Sequence, residues 1–495
     1  MGGAVEASGP VSRDSLSWRP AMLQRMLSLG TDSVSDSRQA ATRSARRFMS
    51  SAVRQPEPAM VRPPGVALGA ITAGGLLVIL LWWHDTPPIH LFGDWLTNAG
   101  RITGLLAGYV IVVLLVLMAR VPALERGLGS DRLARWHSMG GRYVVNLSIA
   151  HTLLIIWGYA VSAHEGLLPQ TGQLMTRYPD VLMATAALGL LVLVGVVSIR
   201  AARRRMRYET WYYLHFYTYL AVALSFSHEF ATGIDFTGNF KARVFWSALY
   251  IGAAAVLLWY RFLVPARNAL RHRMVVSGVF PEAPGIFSVH VAGHHLTDLR
   301  AEPGQFFRWR FLAPDQWWQS HPYSLSAPPT DRVLRFTVKV LGDHSEALQH
   351  VRKGTRVFAE GPYGALTERR RTRRKVLLLA GGIGVTPLRS LFETMRAHRG
   401  DLTLVYRANT ELDIAFRSEL DAIAKWRGAQ VRYLIGPPGG DQDPFVGRRL
   451  ESLVRDIRNH DVYLCGPPRM MDAAQEALRR VGVSRRHIHT ESFEF

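Results

Sequence analysis

The sequence predicts a membrane α-helical bundle of six spans, followed by a small antiparallel β-barrel and an α/β domain built on a parallel sheet. Three observations lead there. Apolar residues concentrate before about residue 265, in segments long enough to cross a bilayer. From Arg271 onward, short β-like runs broken by Gly and Pro replace them. After Arg374, strands alternate with helix-like segments around a glycine-rich turn, the pattern of a parallel sheet with helices on its faces.

Residues 1–60 are rich in Ser, Ala and Arg, lack a sustained apolar period and read as a disordered cytosolic tail. An organellar transit peptide is the sharper alternative. It is weakened by Glu6, Asp14, Asp32 and Asp36, because such peptides are poor in acids. Residues 61–265 hold the six spans: Val66–Trp83, Ile102–Ala119, Tyr143–Ala163, Val181–Ile199, Trp211–Phe230 and Phe245–Val264. The third is better started near Trp136, which brings His137 to its inner end.

The net charge of +21 follows the loops between these spans. Arg120, Arg126, Arg132 and Arg135 follow span two; Arg200, Arg203, Arg204, Arg205 and Arg207 follow span four. Arg261, Arg267, Arg271 and Arg273 follow span six, and the intervening loops hold few basic residues. The positive-inside rule then places both termini in the cytosol, and a bacterial plasma membrane is the expected location. Scarce lysine beside abundant arginine hints at a GC-rich genome. No nucleic-acid motif accompanies the charge, so nucleic acid is not an expected partner. The single cysteine, Cys465, excludes an internal disulfide.

Ionisable side chains are costly inside a bilayer and usually mark function there. Four histidines form two pairs within the helices, His137 with His151 and His215 with His228. At about 1.5 Å rise per residue, each pair is separated by roughly 20 Å along its helix. Two such helices can ligate two b-type haems, one above the other, through bis-histidine coordination. Spans three and five run in the same direction, so His137 pairs with His215 at the inner haem and His151 with His228 at the outer one. The step from His137 to His151 returns to nearly the same helix face. The step from His215 to His228 does not, so span five should be overwound or kinked. A lone histidine in a membrane helix is often a packing residue; four at matched depths are hard to assign that way. His84, His90 and His164 fall in outer loops.

Residues 271–370 carry strand-like runs at Ile286–Val291, Gln305–Phe311, Val333–Val340 and Arg356–Ala359. His321-Pro322-Tyr323-Ser324-Leu325-Ser326 follows one strand and precedes a Pro-Pro turn. Tyr323 can lie against a flavin ring, while the hydroxyls of Ser324 and Ser326 bond flavin N5 or the pyrophosphate of FAD. Around it stand Pro303-Gly304-Gln305-Phe306, Lys339-Val340-Leu341-Gly342-Asp343-His344-Ser345 and Gly361-Pro362-Tyr363-Gly364.

In residues 371–495, Val376–Leu379 leads into Gly381-Gly382-Ile383-Gly384-Val385-Thr386-Pro387, and a helix is expected over Pro387–His398. Such glycines let a cofactor pyrophosphate approach backbone N–H groups at the positive end of a helix. Cys465-Gly466-Pro467 follows a later strand, Asp461–Leu464. Cys465 would sit beside nicotinamide C4, or else be a buried structural thiol. Arg407 ends the second strand with no acid after it, which favours the 2′-phosphate of NADPH over NADH, although a solvated surface charge is also possible. Terminal Phe495 can cover the flavin face, the bland alternative being a frayed tail.

Together these residues resemble the ferric reductase and NADPH oxidase superfamily over Val66 to Phe495. The resemblance implies that NADPH reduces FAD, that FAD feeds single electrons to the inner haem, and that the outer haem reduces an acceptor outside. It maps the haem ligands onto His137, His151, His215 and His228. His344 departs from it, standing where many relatives carry tryptophan. No calcium-binding loop pattern and no regulatory subunit is indicated. The loop Ala231–Val244 is short, leaving little cap over the outer haem.

The acceptor expected is small: oxygen, giving superoxide, or a ferric chelate. A second enzyme reading delivers electrons to a quinone or a partner protein. A transporter or scaffold with a vestigial reductase domain is a third reading, opposed by the intact motif set.

Overall fold

The computed structural model describes residues 64–491 apart from residues 204, 207, 315, 441, 442 and 447. The tail at residues 1–60 and Phe495 therefore lie outside the described residues. The first half is helical: α1 (Pro64–His84), α2 (Phe92–Met118), α3 (Ser130–Ala163), α4 (Leu167–Arg177), α5 (Val181–Val197) and α6 (Tyr208–Thr232). α7 (Phe240–Leu258) runs through a π turn, Trp259–Leu263, into α8 (Val264–His272).

Each expected span falls on a long helix, but their membrane character differs. Among the described residues, four helices are long and apolar enough to cross a bilayer: α1, α2, α3 from Arg132, and the α7–α8 run. The pair α4 and α5 makes a fifth if counted as one span bent by 112°. α5 alone has 17 residues, at the short end for a hydrocarbon core about 30 Å thick. α6 has 25 residues, but its Tyr- and His-rich sequence is less apolar. It is α-helical throughout, without the break that the thirteen-residue histidine step suggested.

α2 and α3 approach closely because small residues face each other, the usual device where lipid gives helices no hydrophobic drive to associate. A Cβ on Gly158 would lie 2.4 Å from Thr97 Oγ1, and one on Gly100 would meet Ile155 at 2.9 Å. This contact sets the depth and position of His151.

The second half begins with two three-stranded antiparallel sheets. One has the order β1 (Val275–Ala283), β2 (Ile286–Ala292), β5 (Val333–Lys339). The other is β4 (His321–Ser324), β3 (Phe306–Phe311), β6 (Val357–Tyr363). Single bridges, Leu325 to Phe336 and Val275 to Arg356, link the sheets at both edges. Alternating residues fill the space between, with Phe307, Trp309, Val289, Leu334 and Phe336 fully buried. The motif His321–Ser324 is itself an edge strand. It is paired to β3 in the register Phe306 with Ser324 and Trp309 with His321.

The last part is a five-stranded parallel sheet of order β11 (Ile488–Glu491), β10 (His460–Cys465), β7 (Lys375–Gly381), β8 (Leu402–Ala408), β9 (Gln430–Ile435). Its inner strands are near-continuous apolar runs, as strands covered on both faces must be. Among the helices are α9 (Asp343–Gln349) between the antiparallel strands, α10 (Val385–Thr394), α11 (Arg417–Arg427) and α12 (Pro468–Arg480). α10 ends at Thr394, earlier than its periodicity suggests. The guanidinium of Arg427 bonds the carbonyls of Phe392 and Met395 there, satisfying groups a longer helix would have used. Strand order reverses between β7 and β10, the place where open α/β sheets form a ligand crevice.

Candidate functional site

The inner histidines meet. The rings of His137 on α3 and His215 on α6 are 5.9 Å apart at 68° between planes. Both Nδ1 atoms are buried and without a hydrogen-bond partner. Two metal–nitrogen bonds of about 2 Å each place the centroids of trans imidazoles about 6 Å apart. The pair therefore fits a haem iron held between the two rings.

The outer histidines are prepared differently. His151 Nδ1 lies 2.8 Å from the carbonyl of Gly100. A carbonyl only accepts, so Nδ1 carries the hydrogen and Nε2 is left bare. Gly104 makes room for the ring, since a Cβ there would lie 2.6 Å from His151 Nδ1. Thr232 Oγ1 donates to the His228 carbonyl at 2.9 Å and lies 3.1 Å from His228 Nδ1. Its one hydrogen is spent, so His228 Nδ1 donates and Nε2 is again bare. Fixing the tautomer through the second nitrogen is how metal-binding histidines are oriented. His151 and His228 are close enough to interact electrostatically. Among the described residues, no group of three or more His, Cys, Asp or Glu side chains is placed to hold a metal ion. A bis-histidine haem needs only two protein ligands.

On β4, the ring of Tyr323 stacks on Phe336 at 5.2 Å with planes 2° apart, and Trp309 Nε1 donates to its carbonyl at 3.1 Å. Burial pushes the Tyr323 hydroxyl pKa upward, so the ring stays neutral. Ser324 Oγ is buried with no partner, a hydroxyl that a bound flavin can satisfy. His321, His344 and Trp318 continue the aromatic row, with 5.5 Å between His321 and His344 and 6.3 Å between His344 and Trp318. Gln319 bridges the two histidines, 3.2 Å from His321 Nε2 and 2.9 Å from His344 Nε2.

At the end of β7 the chain turns through Gly381, Gly382 and Gly384 into α10. A Cβ on Gly384 would lie 2.3 Å from the Cys465 carbonyl, and one on Gly381 would meet Met470 Sδ. Gly382 has φ of +51° and open space around it, so the turn presents bare backbone to the crevice. Thr386 Oγ1 donates to Ile383 O at 3.0 Å, and Pro387 lies in the first turn of α10, where no N–H is needed. Cys465 ends β10 directly across from this turn, followed by Gly466 and by Pro467, the residue that caps the start of α12.

The comparisons with known proteins follow this division. Residues 103–226 match the model described as ferric reductase like transmembrane component. Residues 286–367 match an FAD-binding domain and residues 378–476 an oxidoreductase NAD-binding domain. Together the three matches give the chain the architecture of the ferric reductase and NADPH oxidase superfamily. Ferredoxin–NADP reductase B of Sorangium cellulosum is 32% identical over 191 residues, 35% of this chain and 77% of that protein. The glycine betaine monooxygenase reductase subunit of Chromohalobacter salexigens is 32% identical over 39% of this chain and 56% of its own length. The FAD/NAD-binding domain of nitric oxide dioxygenase from Vibrio cholerae aligns at a TM-score of 0.38 and 23% identity, covering 44% of this chain and 98% of that one.

The protein is an oxidoreductase with FAD- and NAD(P)H-binding domains and an integral membrane part. Several residues expected at its cofactors also make contacts within the protein. Gln305 is buried and donates to Gly364 O at 3.2 Å, tying the Pro303–Phe306 and Gly361–Gly364 turns together. Ser326 is enclosed in the core, where it accepts from Thr337 Oγ1 at 2.8 Å. Lys339 is 3.2 Å from Asp413. Ser345 Oγ accepts from the N–H groups of Leu341 and Gly342, shaping that turn. Arg407 Nη2 donates to Gly436 O at 3.2 Å, at the mouth of β8 and β9. In the third turn, Gly361 and Gly364 have φ of +146° and +96°, and Pro362 leads to Tyr363. The guanidinium of Arg120, just after α2, lies 4.6 Å above the Tyr363 ring, so this turn meets the end of the helical half.

Three groups were missed in the sequence. Glu491, at the end of β11, accepts from Cys465 Sγ at 3.6 Å through its carbonyl, and its carboxylate sits where a Gly364 Cβ would be. Tyr250 donates to Glu229 at 2.8 Å beside His228. Trp211 stacks on His215. No spacing rule marks the first two; Trp211 was legible only as a neighbour one helical turn from a histidine.

Proposed function

We propose that this protein carries electrons from NADPH through FAD and two b-type haems across a bilayer to a small acceptor, oxygen or a ferric chelate. In this reading the helical half spans the membrane six times, both termini are cytosolic, and the two antiparallel sheets form one small FAD-binding barrel. The observation that carries it is the His137–His215 pair, 5.9 Å apart with unpartnered Nδ1 atoms inside a helical bundle.

His137 with His215 and His151 with His228 would hold the haem irons. When bound, FAD converts the two-electron hydride into single electrons and each haem carries one at a time. The protein's own task is placement. Tyr323 and Ser324 seat the flavin ring, and the Gly381–Gly384 turn offers its N–H groups to the dinucleotide pyrophosphate at the start of α10. Cys465 is fully buried at the mouth of the crevice, where it helps exclude water from the hydride path. Gly100 and Thr232 fix His151 and His228 with bare Nε2 atoms.

The test is an anaerobic visible spectrum of the purified protein before and after NADPH. Flavin bleaching with growth of sharp low-spin ferrous bands is expected. Flavin bleaching without a haem signal would overturn the four-histidine assignment. His151→Ala or His228→Ala should remove the outer haem and external reduction while NADPH still reduces FAD; loss of flavin reduction in either would contradict the electron order.

A further inference from the structure

Trp211 and His215 sit one turn apart on α6. Their rings are stacked, with centroids 5.1 Å apart and planes 26° apart. The guanidinium of Arg203, from the short helix Arg200–Arg203, lies 4.4 Å from the centre of the indole ring. The indole N–H donates to Ser198 Oγ at 3.2 Å, at the end of α5. The indole is thus pinned by a residue at the end of α5 and by one from the basic loop that leads into α6. Among the described residues, no aromatic ring or cation is stacked against His151 or His228.

A cation over an indole face is held by the ring quadrupole. Its charge bears on whatever His215 ligates, because gaining an electron lowers the charge of that centre and a nearby cation favours the gain. The indole also fixes the rotation of the imidazole plane and keeps water from its face, both established levers on haem potential. Arg203 is exposed, so solvent and salt screen its charge and the effect is moderate.

We propose that Arg203 and Trp211 are positioning residues that raise the reduction potential of the haem held by His215, favouring its reduction from the flavin side. The step concerned is the gain of one electron, with no bond formed or broken. This rests on the reading of His137 and His215 as haem ligands.

The experiment is a potentiometric titration of the haem bands of the full-length protein and its Arg203→Gln, Arg203→Lys and Trp211→Leu variants. A His228→Ala background, retaining the His215 centre, identifies which wave moves. Arg203→Gln should disfavour reduction of that centre about three- to tenfold, tenfold being about 59 mV for one electron. Arg203→Lys should restore most of the wild-type value, and added salt should shrink the difference. Trp211→Leu should lower the same wave and broaden its low-spin EPR signal. Two intact haems whose potentials are unmoved in Arg203→Gln and Trp211→Leu would overturn this proposal alone. A wild-type protein that takes up no haem would overturn it together with the function proposed above.

Discussion

Arg335 on β5 grips both carboxylate oxygens of Glu419 on α11, at 2.9 Å and 3.0 Å, across the boundary between the antiparallel and parallel sheets. Arg389 on α10 adds a third bond to the same carboxylate at 2.8 Å and a further one to Glu393. The flavin lobe and the nucleotide lobe are therefore tied by a shared ion network, with Lys339–Asp413 beside it. Hydride transfer needs two rings held at fixed distance, and this network bears on that distance.

Breaking the network should loosen the lobes. Burial would raise the Glu419 pKa, but Arg389 and Arg335 outweigh it and hold the carboxyl down at about 2. A depressed carboxyl contributes stability above its unfolded value near 4.5, and that contribution is lost as pH falls through about 2. Glu419→Gln should cost about 2 kcal/mol at neutral pH. The gap to wild type in thermal unfolding should close between pH 4.5 and pH 2; a gap unchanged at the acid end would contradict the ion-pair account.

Ser324 buries a hydroxyl with no partner in the protein. Removing it should leave the apoprotein as stable as before, or slightly more so. Ser324→Ala should weaken FAD about tenfold, the worth of one well-made hydrogen bond, as measured by flavin fluorescence on titration. Unchanged FAD affinity would show that the hydroxyl does not face the flavin.

The glycine turn should be unequal in its tolerance. At Gly384 a Cβ meets the Cys465 backbone, which cannot give way, whereas at Gly381 it meets the flexible end of Met470. Gly384→Ala should cost about 1–3 kcal/mol of stability and abolish nucleotide-dependent flavin reduction. Gly381→Ala should retain measurable reduction. Equal losses in both variants would show that contact with nucleotide, rather than packing, selects glycine at Gly381 too.

Arg407 stands at the mouth of the crevice with one bond to a backbone carbonyl. Arg407→Glu should weaken NADPH about tenfold or more by removing a charge-assisted contact, while NADH is little affected. Steady-state KM values for the two nucleotides decide it, and an unchanged preference removes Arg407 from the specificity role.

Local chemistry was legible in the sequence. The six long helices, β2, β3, β5, β7, β8 and β10, and the glycine turn into α10 all follow from short-range periodicity and turn residues. The pairing of His137 with His215 also came from the sequence, because helix rise converts spacing into depth. Strand β9 and the edge strand His321–Ser324 were not marked as strands, since short segments carry too few residues for a period to show.

Partners distant in sequence were settled only by the fold. Ser326 and Ser324 are two residues apart in one motif, yet one hydroxyl is taken up by Thr337 and the other is left open. Gln305 reaches Gly364, Arg335 reaches Glu419, and Arg203 reaches Trp211 through contacts that no local rule encodes. The sequence alone determined which elements form and which chemistry they carry, because both depend on neighbours within about one helical turn or strand repeat. Only the tertiary structure decided which polar groups are spent on the scaffold and which stay available, because a buried donor or acceptor is satisfied by whatever the fold brings beside it.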